Sequence, residues 1–197
     1  MRVQSNLFDV ADDELATASQ VLEGFRYRSS LIDKAEEDAL IARVRELPFR
    51  EFDFHGFKGK RRVVSFGYHY DFSGQQLRKT EDIPEFLLPL RARAAAFAAM
   101  EPDVLQHALV TEYAPGAGIG WHLDKAVFGQ VIGVSLLTPC VLRFRRKMEG
   151  KWERVNVLAE PRSAYHLSGP ARLVWQHSIS PMEGLRYSIT FRSMRED

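Results

Sequence analysis

Residues 104–125, "VLQHALVTEYAPGAGIGWHLDK", set the terms on which the rest of the chain is read. "VLQHALVTEY" is a short apolar run, "APGAGIG" is turn-like, and "GWHLDK" then places His122 and Asp124 two residues apart. On an extended backbone, side chains two apart point to the same face. A metal would want such a pair, and so would an ordinary half-exposed strand, so H-x-D alone decides nothing. The stretch does open a different kind of text. From Val104 onward, "QVIGVSLL", "CVLRF", "RVNVL", "SAYHL", "ARLVWQH" and "YSITFR" are short apolar runs split by turn residues. Many short strands at fairly even spacing predict a sandwich or barrel.

Upstream the pattern changes. Residues 1–20 are polar and acidic and read as an N-terminal arm. "SSLIDKAEEDALIARVRELP" reads as a helix: Asp33 is a cap, Glu36 and Glu37 occupy the first turn, and Leu40, Ile41, Val44 and Leu47 form one apolar stripe before Pro48. A second helix is expected in "PEFLLPLRARAAAFAAMEP", closed by Pro102. Between them, "FREFDFHGFKGKRRVVSFGYHYDFSG" is aromatic and basic, with Gly56, Gly59, Gly67 and Gly74 as turn points, and suggests β-hairpins. The fold class is mainly β with N-terminal helices, an α+β chain. Residues 21–103 hold the helices and hairpins, and 104–197 the β core.

Bulk numbers bound the rest. A chain of 197 residues with 45% hydrophobic and 27% charged content is one soluble domain's worth. Net charge is +1, so affinity for nucleic acid must come from local patches. Cys140 is the single cysteine, which excludes an intrachain disulfide and fits a reducing cytoplasm. The N-terminus has acids where a signal peptide would be apolar, and no stretch approaches a membrane span. The expectation is a cytoplasmic monomer with no membrane contact.

Six histidines offer few choices for a metal site: His55, His69, His107, His122, His166 and His177. His177 closes the run "ARLVWQ" and fits a third ligand beside His122 and Asp124, with His166 in "SAYHLSG" as competitor. Two histidines and a carboxylate suit non-haem Fe(II) with open positions, and a zinc hydrolase could use the same set. Downstream, "RYSITFR" puts Arg186 and Arg192 on one face with Ser188 and Thr190, and Tyr187, Ile189 and Phe191 on the other. Buried arginines are costly unless anions meet them, and a diacid with a carboxylate at each end would do so. An edge strand carrying both arginines into solvent is the plain alternative.

Taken together, H-x-D, the later histidine and R-x-x-x-x-x-R resemble the AlkB family of iron- and 2-oxoglutarate-dependent dioxygenases, from about Val21 to Arg192. The resemblance implies a double-stranded β-helix (jelly-roll) core, with 21–197 a single dioxygenase domain. It implies that His122, Asp124 and His177 hold Fe(II), and that Arg186 pairs with the distal carboxylate of 2-oxoglutarate. Arg192 would lie near the carboxylate beside the keto group, with Tyr113 and Ser188 as further contacts. Family members often carry asparagine where this chain has Thr111 and Ser188. With O2 as the third co-substrate, the implied reaction is oxidative dealkylation of bases in DNA or RNA, releasing formaldehyde, succinate and CO2.

"GKRRVVSFGYHYDFSG" resembles the base-gripping lid of the family's nucleic-acid demethylases, matching at Tyr70, Phe72, Ser73 and Gly74. An aromatic plane opposite the site would sandwich a flipped base. Phe54 and Phe57 in "FHGF" could fill the vacated stack. Lys58, Lys60, Arg61 and Arg62 would contact phosphates, and Arg143, Arg145, Arg146 and Lys147 in "RFRRK" form a second basic cluster. One departure is Ala126, where the repair members commonly carry an acid that reads the base. The same site acting on a protein side chain or small molecule, and a non-catalytic nucleic-acid-binding β-sandwich, remain the alternatives.

Overall fold

The computed structural model describes residues 21–54, 57–71 and 76–195, with backbone alone at 52–54, 57–59 and 71. The expected arm over 1–20, and Phe72, Ser73 and Gly74, lie outside the described residues, as do the side chains of Phe54, Phe57 and Lys58.

Two antiparallel sheets make the core. The larger orders its strands β1-β11-β8-β13-β6-β3-β2, where β1 is Phe25–Arg28, β2 Arg50–Phe54, β3 Phe57–Phe66, β6 His107–Tyr113, β8 Phe128–Leu136, β11 Ala164–Leu167 and β13 Arg186–Met194. The smaller runs β10-β9-β12-β7, with β7 Ile119–His122, β9 Cys140–Met148, β10 Lys151–Ala159 and β12 Gln176–Ile179. A separate hairpin pairs β4 (Tyr68–Asp71) with β5 (Gln76–Lys79). The arrangement is consistent with a jelly-roll. The strands β1, β2 and β3 join the larger sheet directly, so the upstream segment is woven into the core and does not merely pack on it.

Strand β13 sits between β8 and β6 and is buried on both faces. Tyr187, Ile189 and Phe191 face a first apolar cluster with α1 (Lys34–Val44) and α2 (Leu88–Ala98), through Leu40, Ile41, Val44, Leu90 and Phe97. The other face looks between the sheets, where Tyr113, Val131, Leu167, Leu142 and Phe144 pack together. The edge-strand alternative for "RYSITFR" therefore fails: its arginines point into the sandwich.

Helix α1 begins as the residues dictate. Glu36 N donates to Asp33 Oδ1 at 2.8 Å and Asp33 N donates to Glu36 Oε2 at 3.0 Å, a reciprocal cap. Helix α2 stops at Ala98, before Pro102, because Ala99 turns left-handed at φ 58° and its N–H donates to Ala95 and Ala96 carbonyls. The run "ARLVWQH" is also not one strand. Gly169–Leu173 forms a short helix, α3, and the strand starts only at Gln176. Among the described residues no helix is long and apolar enough to cross a membrane.

Glu37 ties α1 to the sandwich. It is 2% exposed, accepts from Leu137 N at 2.9 Å and pairs with Arg162 Nη1 at 3.0 Å. Leu137 and Arg162 both adopt positive φ, at 72° and 67°, so one carboxylate holds two strained corners. Glu37→Ala is expected to cost about 2–3 kcal/mol, since Arg162 is partly solvated, and to lower the melting temperature by roughly 4–12 °C. A scanning-calorimetry shift below about 1 °C would show that the carboxylate does not hold these corners.

Candidate active site

The two histidines meet because β7 and β12 pair in register, with His177 opposite His122. Their ring centroids are 4.2 Å apart. His122 Nδ1 lies 2.9 Å from the Gly120 carbonyl. A carbonyl oxygen only accepts, so Nδ1 carries the proton and the Nε2 lone pair is left for a cation. Asp124 lies past the end of β7, in the turn that leads to β8, so strand alternation does not place it. Arginines do. Arg192 grips its Oδ1 through Nη2 at 2.9 Å and Nε at 3.3 Å. The following loop is pinned by buried Arg172 of α3, which donates to the carbonyls of Lys125 at 2.7 Å, Phe128 at 2.8 Å and Gly129 at 2.9 Å.

Protonation states follow from these surroundings. Burial pushes His177 down to about 4 and lowers His122, so both rings are neutral at pH 7. Burial alone would raise the Asp124 carboxyl, but Arg192, then His177 and His122, hold it well below the usual carboxylate range. Two neutral imidazoles and a carboxylate are the state in which these groups bind a metal. Asp124 Oδ2 is buried without a hydrogen-bond partner and lies 3.5 Å from His177 Nε2. Two donors each about 2.1 Å from one ion, at right angles, stand about 3 Å apart. Among the described residues no group of three or more His, Cys, Asp and Glu side chains is already arranged to hold a metal ion. The set converges without being closed, and its donor chemistry fits a divalent first-row metal.

Arg186, fully buried, raises a separate demand. Its Nε donates to Ser135 Oγ at 3.0 Å, while Nη1 and Nη2 are buried with no partner among the described residues. A guanidinium whose fork faces nothing is costly, and a carboxylate fits it bidentately. The register puts Tyr113 opposite Arg186, and Thr111 and Ser135 opposite Ser188, all on the inner face. Tyr113 brings its ring centroid within 5.1 Å of the Arg186 guanidinium carbon. Burial pushes the nearby Tyr165 hydroxyl and Cys140 thiol up, with Arg186 opposing in both, so neither group is an anion that could satisfy the fork.

Sequence reasoning missed several of these residues. Ser135, Arg172 and Tyr165 act through partners distant in the chain. Gly133, opposite Tyr165, gave a signal: a glycine inside "QVIGVSLL" marks close approach, and a Cβ there would come within 2.2 Å of the Tyr165 ring. His107 was singled out only as a histidine. It is buried opposite Arg192, with Nδ1 3.4 Å from Arg192 Nη1 and its ring centroid 4.6 Å from that of Phe128. Burial first, then Arg192, holds it well below the usual histidine range, so it accepts from the guanidinium as a neutral ring.

The remaining candidates divide. His166 is on the helix-facing side of the sheet, edge-on to Phe97 and 2.6 Å from Gln130 Oε1, with the sheet between it and His122. Tyr70 on β4 comes to the site: Lys125 Nζ stands 4.8 Å from its ring centroid, one residue beyond Asp124. Lys60 is exposed. The expectation that Arg61 and Arg62 reach phosphates meets a different placement. Arg61 is opposite Tyr113 and turned toward the sandwich interior, and burial lowers its pKa. Arg62, on the other face, is held bidentately by Glu112 at 2.8 and 3.0 Å. Alternation along β3 separates the two: Arg61 faces the interior, while Arg62 is exposed on the other face with Glu112 as its partner.

A sequence-family model described as the 2OG-Fe(II) oxygenase superfamily matches residues 24–192. The chain is 28% identical over 144 residues to the alkylated DNA repair protein ALKBH8 homolog of Arabidopsis thaliana, covering 61% of this chain and 42% of that protein. It is 26% identical to the mitochondrial alpha-ketoglutarate-dependent dioxygenase alkB homolog 7 of Mus musculus, covering 100% of this chain and 90% of that one. The crystal structure of an oxidoreductase of the 2OG-Fe(II) oxygenase family from Burkholderia pseudomallei superposes with a TM-score of 0.62 at 14% identity, covering 100% of this chain and 94% of that one. The chain spans less than half the length of several of the curated relatives it matches.

Proposed function

Because the chain belongs to the 2OG-Fe(II) oxygenase superfamily, with AlkB homologues among its relatives, we propose that it removes alkyl groups oxidatively from nucleic-acid bases. His122, Asp124 and His177 would hold Fe(II), and Arg186 the distal carboxylate of 2-oxoglutarate, with Tyr113 and Ser188 beside it. When bound, iron with 2-oxoglutarate and O2 supplies an oxidant that hydroxylates a C–H bond, with succinate and CO2 as co-products. A hydroxylated N-methyl group then leaves as formaldehyde, freeing the amine.

The chain's own residues do the positioning. Arg192 holds Asp124 Oδ1 and leaves Oδ2 turned toward His177. Arg172 fixes the loop behind Asp124 through three carbonyls, so the carboxylate cannot swing away. The Arg186 fork would orient a diacid by its far end, with the Tyr113 ring against the guanidinium and Tyr165 nearby.

The substrate reading is carried by one observation: the β4–β5 hairpin brings Tyr70 against Lys125 beside Asp124. An aromatic plane and a cation at the mouth suit a flipped base and its phosphate. The name of the Arabidopsis relative, an alkylated DNA repair protein, supports the same substrate class. Ala126 in this loop favours a second reading, the same oxygenase site acting on a protein side chain or small molecule, because it offers no acceptor for a base's amine. The test is a panel of methylated and etheno-modified DNA and RNA oligonucleotides with Fe(II), 2-oxoglutarate and ascorbate, read by mass spectrometry. Dealkylation is expected, and Tyr70→Ala or Phe72→Ala should slow it about 5- to 100-fold, the equivalent of one lost stacking contact. Turnover of 2-oxoglutarate with every oligonucleotide left intact would favour the second reading.

A further inference from the structure

The outer face of the smaller sheet is used by nothing described so far. Cys140, Leu142, Phe144, Val157 and Ala159 point into the sandwich, so alternation turns Arg143, Arg145 and Lys147 of β9, and Trp152, Arg154 and Asn156 of β10, outward. Register sets Arg145 directly opposite Arg154 and Lys147 opposite Trp152. Like charges facing each other across a ladder destabilise a sheet unless something screens them. No carboxylate stands at these outward positions, and among the described residues none of the four cations is paired with one. The neighbours that hold them are neutral: Arg143 Nε donates to Ser178 Oγ at 3.1 Å and Arg145 Nε to Gln176 Oε1 at 2.8 Å.

Aromatic planes are interleaved with these cations. The Arg145 guanidinium carbon lies 4.3 Å from the ring centroids of both Trp121 and Trp152, and that of Arg143 lies 5.2 Å from Trp121. Trp152 is still 40% exposed. Arg145, held between two indoles and hydrogen-bonded at Nε, has lost most of its rotamer freedom before any ligand arrives. The charge complement of this face is a polyanion, and large exposed aromatic surface beside fixed cations fits one whose bases are unpaired. An acidic protein would use the cations and leave Trp152 idle.

We infer that the outer face of the β10-β9-β12-β7 sheet binds a single-stranded nucleic acid, its phosphates on Arg143, Arg145, Lys147 and Arg154 and a base against Trp152. The surface is the reverse side of the strands that carry His122 and His177, and so is separate from the mouth where Tyr70 lies. It does not depend on the dealkylation reading.

The test uses the whole chain, without metal or co-substrate, and unmodified fluorescein-labelled oligothymidylate, followed by anisotropy across a salt series. Lys147→Glu with Arg154→Glu is expected to weaken binding at least about tenfold and to reduce the salt slope by roughly 1.4, two single-strand phosphate contacts. Both side chains are exposed, and unchanged melting temperature checks the fold. Trp152→Ala should weaken oligothymidylate binding about 5- to 100-fold and leave inorganic polyphosphate binding unchanged. Wild-type affinity and slope in the double variant would overturn the proposal. So would polyglutamate binding as tightly as the oligonucleotide with no effect of Trp152→Ala, which would point to an acidic protein instead.

Discussion

Asp124→Ala is expected to abolish succinate formation from 2-oxoglutarate and to remove Mn(II) binding in an anaerobic titration with 2-oxoglutarate present. The carboxylate has two tasks, and alanine ends both. Its Oδ2 is the unpartnered oxygen turned toward His177, and its Oδ1 is what Arg192 grips. Removing it leaves Arg192 buried beside a neutral His107 with no anion, a loss of about 3–5 kcal/mol of stability by the usual cost of an orphaned buried charge. His122→Ala should end turnover equally and spare the Arg192 contact, so it should melt higher than Asp124→Ala. Sustained succinate production by either variant would end the assignment of this site.

Arg186→Met is expected to have opposite effects on function and stability. Losing a buried charged partner of a substrate carboxylate costs about 2–5 kcal/mol, so the KM for 2-oxoglutarate should rise about 30- to several-thousand-fold. The free protein should not be destabilised, and its melting temperature should hold or rise. In the absence of a ligand two guanidinium nitrogens are buried with nothing to bond, and an apolar side chain of similar reach removes that burden. A thermal-shift assay reads both: the variant melts no lower than the parent, and added 2-oxoglutarate raises only the parent. A variant that melts much lower and still responds to 2-oxoglutarate would mean that Arg186 is structural.

Residues whose partners are near in sequence, or whose face follows from alternation, were legible beforehand. "RYSITFR" placed Arg186 and Arg192 together against one interior and Tyr187, Ile189 and Phe191 against another, because strand period is independent of context. The Asp33–Glu36 cap was legible for the same local reason. Asp124 was expected beside His122 from strand alternation, but the strand ends at His122, and arginines from α3 and β13 position the carboxylate. No local pattern marks Arg172, whose acceptors are main-chain carbonyls more than forty positions earlier. Arg61 and Arg62 read as one basic run, yet β3 sends them to opposite faces, one inward and one to Glu112. The break in "ARLVWQH" was hidden because an apolar run of that length suits either a strand or a buried helical turn.

The guanidiniums around Asp124 have a thermodynamic corollary. Arg172 and Arg192 flank that single carboxylate, and Arg186 is buried farther along β13, so the guanidiniums of the interior outweigh Asp124 before any ligand enters. A divalent cation arriving alone meets repulsion, and a dianion arriving first cancels it. By linkage, whatever factor the keto acid contributes to iron affinity, iron must return to the keto acid. The two should load as a cooperative pair, each scarce one rationing the other.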